Sequence, residues 1–178
     1  LVWSHVSVEN NGLVLVRDVS GFVRAGEVLA LIGSSGAGKS TLLHTLAGMP
    51  DMRDKNRRAE GNIAMRASQG QLRRVHSSLV GLGAAAFVAC EPPLIASFTV
   101  REELEHAAAQ QLVDSQARAP RIEAALEELR LQHVANTRVE RCSGGERRRV
   151  AIAAFGLLCN ASLLFCDEVR NSVATWLC

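Results

Sequence analysis

The chain has 178 residues, which is enough for one domain with a packed core and short for two. Its composition is globular, with 48% hydrophobic and 21% charged residues, and its net charge of +2 gives no indication of a nucleic-acid-binding surface. The five cysteines are scattered without a CxxC pair, which argues against a disulfide framework or a zinc site and favours a reducing compartment.

The N-terminal part of the chain predicts strands. Residues 12–33 alternate between apolar and polar positions, break at Gly21 and Gly26, and then become continuously apolar. This pattern predicts two antiparallel strands followed by a buried strand over residues 28–32. Next come a helix over residues 39–48, a polar loop over 51–58, and short strands in GNIAMR and GAAAFVAC.

The middle of the chain predicts helices. Thr99 and Glu102 form a capping box that opens the helix VREELEHAAAQQL, and Pro120 is assigned to the first turn of the next helix. Ser143 or Gly144 opens a third helix, ERRRVAIAAFGLL, and the strand SLLFC follows. A block of about 40 helical residues between strands predicts an α/β core that carries a helical subdomain.

The longest charge-free run covers residues 150–166. Its 17 residues fall just short of the roughly 18–20 apolar residues that a membrane helix needs, and Asn160 and Ser162 interrupt it. The run therefore predicts a buried helix followed by a buried strand, in which Cys166 is a buried thiol.

A glycine-rich loop, GSSGAGKST, lies between the predicted apolar strand and the first helix. It satisfies the pattern GxxxxGK[ST] at Gly33, Gly38, Lys39 and Ser40. The glycines let backbone N–H groups turn toward an anion, and the start of the helix adds the positive end of its dipole. Lys39 can reach the β- and γ-phosphates, and Ser40 offers a hydroxyl to Mg²⁺. The loop alone is compatible with ATPases, GTPases and small-molecule kinases.

Two further motifs lie in the second half of the chain. CSGGE places Ser143 and two glycines at a helix start, where a hydroxyl and N–H groups can face an anion. LLFCDE begins 20 residues after Ser143 and carries Asp167 to the end of an apolar strand. That position suits a Mg²⁺-bound water, and Glu168 beside it is placed to polarise an attacking water.

These three motifs, in this order and spacing, resemble the ATP-binding cassette (ABC) family, with GSSGAGKST as Walker A, CSGGE as the signature and LLFCDE as Walker B. SFTVREEL and SGGERRRVAIA are most similar to subfamily G, the white-type half-transporters. The resemblance implies a P-loop NTPase core with a mixed sheet and flanking helices, an antiparallel β edge and an inserted α-helical subdomain. It implies a single, incomplete nucleotide-binding domain, with residues 1–89 and 150–168 as the core, about 90–149 as the helical subdomain and 169–178 as a divergent tail.

In that family two such domains close head to tail on two ATP molecules. The resemblance implies that Asp167, through a water, and Ser40 support Mg²⁺ and that Glu168 is the catalytic base. The residues implied to hold one ATP are Gly33, Ser34, Ser35, Gly36, Ala37, Gly38, Lys39, Ser40 and Thr41. Those implied to reach the ATP of the partner domain are Ser143, Gly144, Gly145 and Glu146. The implied partners are a second nucleotide-binding domain and a membrane-spanning domain, without nucleic acid, at the cytoplasmic face of a membrane.

The sequence departs from the family pattern at several positions. Cys90 stands where the family has a glutamine that senses Mg²⁺ and the attacking water, and a thiol is a poor ligand for a hard metal. Asn10 stands near the aromatic residue that often stacks on adenine, and Trp3 comes too early in the strand. After Glu168 the family continues with a Pro-Thr-Ser-Gly-Leu-Asp-like turn and a switch histidine, whereas residues 169–178 are VRNSVATWLC and contain no histidine.

We therefore expect a fragment whose tail is translated intron sequence or a mis-joined gene model, with a naturally divergent end as the alternative. In this form we expect nucleotide binding with negligible Mg-ATPase activity over a Lys39→Ala control. Two alternatives are a hydrolysis-incompetent stub that pairs with an intact cassette domain, and a soluble cassette ATPase of translation or DNA repair. Arg147, Arg148 and Arg149 are interpreted as a solvated helix face, with contact to nucleotide or partner as the alternative.

Overall fold

Internal contacts divide the chain into two units, Leu1–Leu82 and Gly83–Cys178. The structure is a computed structural model, and it describes residues 1–49, 56–66, 72–74, 78–81, 83–111, 115–159 and 161–167. The boundaries of core, helical subdomain and tail given above stay a prediction.

The first unit is built on a four-stranded antiparallel sheet in the order β2-β1-β3-β4. Its strands are β1 (Val2–Asn10), β2 (Leu13–Phe22), β3 (Arg57–Arg66) and β4 (Leu72–Arg74). Asn11 and Gly12 both have positive φ, the backbone that a tight two-residue hairpin needs between β1 and β2. The buried side chains of this unit include Trp3, Val6, Val8, Val16, Leu42 and Leu46.

The predicted strand break at Gly21 is wrong, because β2 continues through Gly21 to Phe22. Gly21 pairs with Trp3 across the hairpin, and a Cβ atom at Gly21 would lie 2.5 Å from the Trp3 ring. The glycine therefore makes room for a buried indole. Trp3 is only 4% exposed, so it is not available to stack on a nucleotide base.

The predicted buried strand over residues 28–32 is also wrong. The segment has no strand pairing, and Val28 and Ile32 are 80% and 93% exposed. An apolar sequence becomes a strand only where a neighbouring strand accepts its backbone hydrogen bonds, and no described strand is paired with this one. The apolar run did not predict burial correctly, because burial requires a partner that the sequence pattern does not reveal.

The predicted helix after the glycine-rich loop is confirmed as α1 (Lys39–Ala47). Gly48 ends it with a φ of 65°, and the N–H groups at its end bond to the carbonyls of His44 and Thr45. In the polar loop predicted over residues 51–58, positions 51–55 lie outside the described residues. Its last two positions are the start of β3.

The second unit pairs two parallel strands with a group of helices. Strand β5 (Ala85–Val88) lies beside β6 (Leu163–Cys166). The helices are α2 (Val100–Gln111), α3 (Ser115–Glu128) and α4 (Gly144–Ile152), with 3₁₀ turns at Gln132–Val134 and Val139–Arg141. Their buried core includes Val100, Leu104, Leu126, Leu131, Val150 and Leu158.

The capping box that was predicted for α2 is confirmed. The Thr99 N–H donates to the Glu102 carboxylate at 2.8 Å, and the Glu102 N–H donates to the Thr99 hydroxyl at 3.2 Å. Pro120 was assigned to the first turn of its helix, but α3 already begins at Ser115 and carries the proline inside. A proline fits poorly there because it has no N–H to donate, so helical packing overrides a local preference.

Helix α4 continues into a π-helical turn, Ala153–Leu157, before β6 begins. The charge-free run of residues 150–166 is therefore the end of a helix followed by a strand, as predicted. The prediction that this strand and the Cys166 thiol are buried is wrong, because Leu164 is 40% exposed and Cys166 is half-buried. In the described parts of the chain, no helix combines the length and the apolar character needed to cross a membrane.

Candidate nucleotide-binding site

The glycine-rich loop of the first unit has the backbone that an anion nest requires. Gly36 and Gly38 have φ values of 80° and 85°, which L-residues with side chains rarely adopt. The Gly38 backbone also lies close to β2, because a Cβ atom there would lie 2.6 Å from the Leu15 carbonyl oxygen. The tight turn between Ser34 and Ala37 is closed by a hydrogen bond of 3.3 Å.

Lys39 lies at the first position of α1. Its ammonium group donates to the Gly33 carbonyl at 3.0 Å and to the Ser34 carbonyl at 2.6 Å, and both contacts are exposed. The helix start at Gly38 has no side-chain cap and no acidic residue in its first turn. Its first N–H groups and its dipole therefore favour an external anion, and the adjacent lysine adds a full positive charge. Ser40 and Thr41 follow on the same turn.

The signature segment CSGGE opens α4, as the sequence predicts, but its groups bond to one another. Ser143 is the N-cap, and its hydroxyl accepts from the Glu146 N–H at 3.3 Å. The Glu146 carboxylate accepts from the Ser143 N–H at 2.7 Å and from its hydroxyl at 2.6 Å. These hydrogen bonds hold the pKa of Glu146 below its usual range, and His133 contributes through a 3.1 Å contact. A Cβ atom added at Gly144 would have no neighbour within 4 Å.

The parallel strands carry the remaining predicted residues to their carboxyl ends. Asp167 directly follows β6, and its N–H donates to the Val88 carbonyl at 3.0 Å. Cys90 lies two residues after β5 and is exposed. Cys166 is half-buried, and burial raises the pKa of its thiol. Glu168, the predicted catalytic base, lies outside the described residues, as does the tail of residues 169–178.

Arg148 is 8% exposed, and its role is not evident from the sequence. Its guanidinium donates to the backbone carbonyls of Ala89, Cys90 and Asp167, so it contacts the ends of both parallel strands. The interpretation of the three arginines as a solvated face is wrong for Arg148. Spacing along the helix does not single out Arg148, because Arg147 lies three residues before the equally buried Val150 and is nevertheless exposed.

The predicted residues thus fall into two sets. The glycine-rich loop and Lys39 belong to the first unit, whereas the signature segment, Cys90 and Asp167 belong to the second. The hydroxyl of Ser40 and the carboxylate of Asp167 are hard oxygen donors of the kind that Mg²⁺ prefers. The loop backbone, the uncapped helix start and Lys39 fit the phosphates of a nucleotide. These features define a P-loop nucleotide-binding domain.

Comparison with known proteins narrows this class. The family model for the ABC transporter matches residues 16–171. The chain is 32% identical to ABC transporter G family member 1 of Petunia hybrida, over 94% of this chain and 26% of that protein. It is 36% identical to human ATP-binding cassette sub-family G member 8, over 96% of this chain and 25% of that protein. The chain thus spans about a quarter of the length of these relatives.

A solved structure, the ATP-binding subunit of an ABC transporter, superposes with a TM-score of 0.68 at 25% identity. The match covers 96% of this chain and 66% of that subunit. The chain belongs to the ABC transporter family, and its relatives place it with subfamily G. The α/β fold predicted from the sequence, a P-loop NTPase core with an inserted helical subdomain, is confirmed.

Proposed function

We propose that this chain binds ATP with Mg²⁺ as the nucleotide-binding domain of a subfamily G half-transporter. The observation that carries the proposal is the start of α1, where two glycines with positive φ, an uncapped helix N-terminus and Lys39 converge. The residues proposed to hold the nucleotide are Gly33, Ser34, Ser35, Gly36, Ala37, Gly38, Lys39, Ser40 and Thr41. Bound Mg²⁺ would neutralise phosphate charge, with Ser40 and Asp167 as its proposed supports and Glu168 as the proposed base.

The proposal includes a second nucleotide-binding domain and a membrane-spanning domain. Ser143, Gly144, Gly145 and Glu146 are proposed to face the γ-phosphate that is bound by the partner domain. ATP then joins the two domains, and its hydrolysis separates them, which powers transport across the membrane whose cytoplasmic face the domains occupy. Membership of the family and the uncapped start of α1 support this arrangement.

The test measures binding of a fluorescent ATP analogue to the natural protein expressed at full length, followed by Mg-dependent phosphate release. We expect saturable binding that Lys39→Ala weakens strongly, because the lysine supplies the full positive charge beside the helix start. Binding that is unchanged by Lys39→Ala, or absent from the wild type, would contradict the proposal.

A second candidate function is nucleotide-dependent pairing without turnover. Cys90 favours it, because an exposed thiol occupies the place where the family pattern has a glutamine. We expect Cys90→Gln to raise Mg-dependent hydrolysis if this position limits the rate. Equal hydrolysis by the wild type and Cys90→Gln would remove the reason for this alternative.

A further inference from the structure

Helix α4 presents three consecutive arginines that have different surroundings. Arg147 is exposed, and its guanidinium donates at 2.9 Å to the Cys142 carbonyl at the start of its own helix. Arg148 is buried and directed at the parallel strands. A guanidinium is rarely buried without hydrogen-bond partners, because the loss of its hydration is costly. The buried position of Arg148 is therefore explained by what its N–H groups contact.

Arg148 contacts three carbonyl groups that belong to two different strand ends. Its Nη1 atom donates to the Cys90 carbonyl at 3.0 Å and also to that of Ala89, directly after β5. Its Nη2 atom donates to the carbonyl of Asp167, directly after β6. The planar, always charged guanidinium suits this task, because its N–H groups diverge at fixed angles and reach several acceptors at once.

The same strand ends are joined to each other. Val88 lies opposite Cys166 in the parallel ladder, and the Asp167 N–H donates to the Val88 carbonyl at 3.0 Å. Arg148 thus fixes the carbonyl group of Asp167, while the hydrogen bond to Val88 fixes its N–H group. A shift of α4 must either move both strand ends or break the charged hydrogen bonds of Arg148.

Helix α4 begins at the signature segment. Ser143 caps it, and Arg148 follows five residues later, about 7.5 Å along the helix axis. A helix of this length is rigid over that distance, since each turn is closed by backbone hydrogen bonds. Displacement of Ser143 is therefore transmitted to Arg148 and from there to Cys90 and Asp167.

We propose that Arg148 is a positioning residue that couples the two nucleotide sites of the paired domains. The inference rests on the proposed function, in which Ser143 faces the ATP of the partner domain while Cys90 and Asp167 serve the ATP of their own domain. Arg148 lies on the helix that Ser143 caps, and it donates to the backbone carbonyls of Cys90 and Asp167. Occupancy of the site at Ser143 therefore affects the position of Asp167, which supports the metal at the other site. The expected consequence is cooperative binding of two nucleotides.

The test uses the natural protein at full length in its paired form and measures the binding isotherm of a non-hydrolysable ATP analogue with Mg²⁺. The variants are Arg148→Met, which removes every donor, and Arg148→Lys, which keeps the charge and reaches fewer carbonyls at once. The matched control is Arg121→Met. Arg121 is a half-buried arginine of the same unit that donates to the Leu157 carbonyl at 3.3 Å, a group that belongs to neither parallel strand.

We expect the wild type to bind cooperatively and Arg148→Met to bind with a Hill coefficient of about 1. We expect an intermediate Hill coefficient for Arg148→Lys and the wild-type Hill coefficient for Arg121→Met. Loss of folded protein lowers the number of sites without changing the Hill coefficient, so a merely structural role leaves this measurement unmoved. If Arg148→Met yields no folded protein, Arg148→Lys decides by the same comparison.

The inference is overturned by a non-cooperative wild type, by cooperativity that survives in both Arg148 variants, or by an equal loss in Arg121→Met. Failure of the proposed function looks different, since the wild type then shows no binding that depends on Lys39. A cooperative wild type with unaffected Arg148 variants would leave the proposed function intact and reject only the coupling.

Discussion

The helices α1 and α4 both begin with glycines and both were predicted to face an anion, yet their first turns differ. Helix α1 begins after Gly38 without a side-chain cap and has no acidic residue in its first turn. Helix α4 begins with a complete capping box in which Ser143 and Glu146 bond to each other. The first helix start is therefore open to an external anion, whereas the second already holds a carboxylate of its own.

Under the proposed function, this difference implies two modes of phosphate binding. At α1 an incoming phosphate meets N–H groups and the Lys39 ammonium without displacing an internal carboxylate. At α4 the Ser143 hydroxyl donates to Glu146, so a phosphate must compete for it. Exchange of one acceptor for another costs little net free energy, on the order of 1 kcal/mol, so the proposed partner domain could supply it when it brings the phosphate. The uncapped start of α1 can thus bind phosphate first, and the capped start of α4 can bind it second.

The largest expected effect concerns the charge at the open helix start. Lys39→Ala should weaken binding of an ATP analogue by about a hundredfold, roughly 3 kcal/mol, because it removes a charged donor to the phosphates. Titration of the full-length protein with a fluorescent analogue measures this, and Lys39→Arg keeps the charge as a control. A loss of less than about threefold would show that the backbone nest alone supplies the affinity.

A glycine exchange at each helix start tests the backbone difference. Gly38→Ala should lower the free energy of unfolding by about 2 kcal/mol, because its φ is 85° and its Cβ atom would contact the Leu15 carbonyl. Gly144→Ala is the matched control and should change stability by less than about 0.5 kcal/mol, since nothing lies within 4 Å of its added Cβ. Urea denaturation followed by circular dichroism compares them, and equal losses would contradict the comparison.

The cap on α4 should contribute a smaller amount. Ser143→Ala removes the acceptor of the Glu146 N–H and should cost about 1 kcal/mol, expressed as faster hydrogen exchange in the first turn of α4. Ser162→Ala, at an exposed serine just before β6, is the control. Unchanged exchange in Ser143→Ala would mean that Glu146 alone maintains the helix start.

The charge of Glu146 should give the smallest effect, and it depends on pH. Because the folded pKa of Glu146 is lowered, its stabilisation is complete above the ordinary carboxyl pKa of about 4.3 and is lost as the pH falls through the folded value. Glu146→Gln keeps a capping side chain without the charge and should cost roughly 0.5 kcal/mol at pH 7. The difference in unfolding free energy between wild type and Glu146→Gln should shrink below about pH 4. A difference that stays constant down to the acid limit of folding would contradict this assignment.

Local chemistry explains which features could be predicted from the sequence. The capping box at Thr99 and the glycine end of α1 are determined by residues within one turn, so their patterns were sufficient, whereas the capping box at Ser143 was not predicted. Residues 28–32 and Arg148 depend on segments far away in the chain. An apolar run does not reveal whether another strand will pair with it, and three consecutive arginines do not reveal which of them will be buried.

The packing of Trp3 against Gly21 also provides an optical probe of the first unit. An indole that is 4% exposed emits at shorter wavelength than one in water, and unfolding of the β1–β2 hairpin would shift that emission to the red. The chain has only two tryptophans, and the other, Trp176, can be replaced by phenylalanine. In such a variant the emission wavelength of Trp3 would report whether the sheet beside Gly38 is folded, without any attached dye.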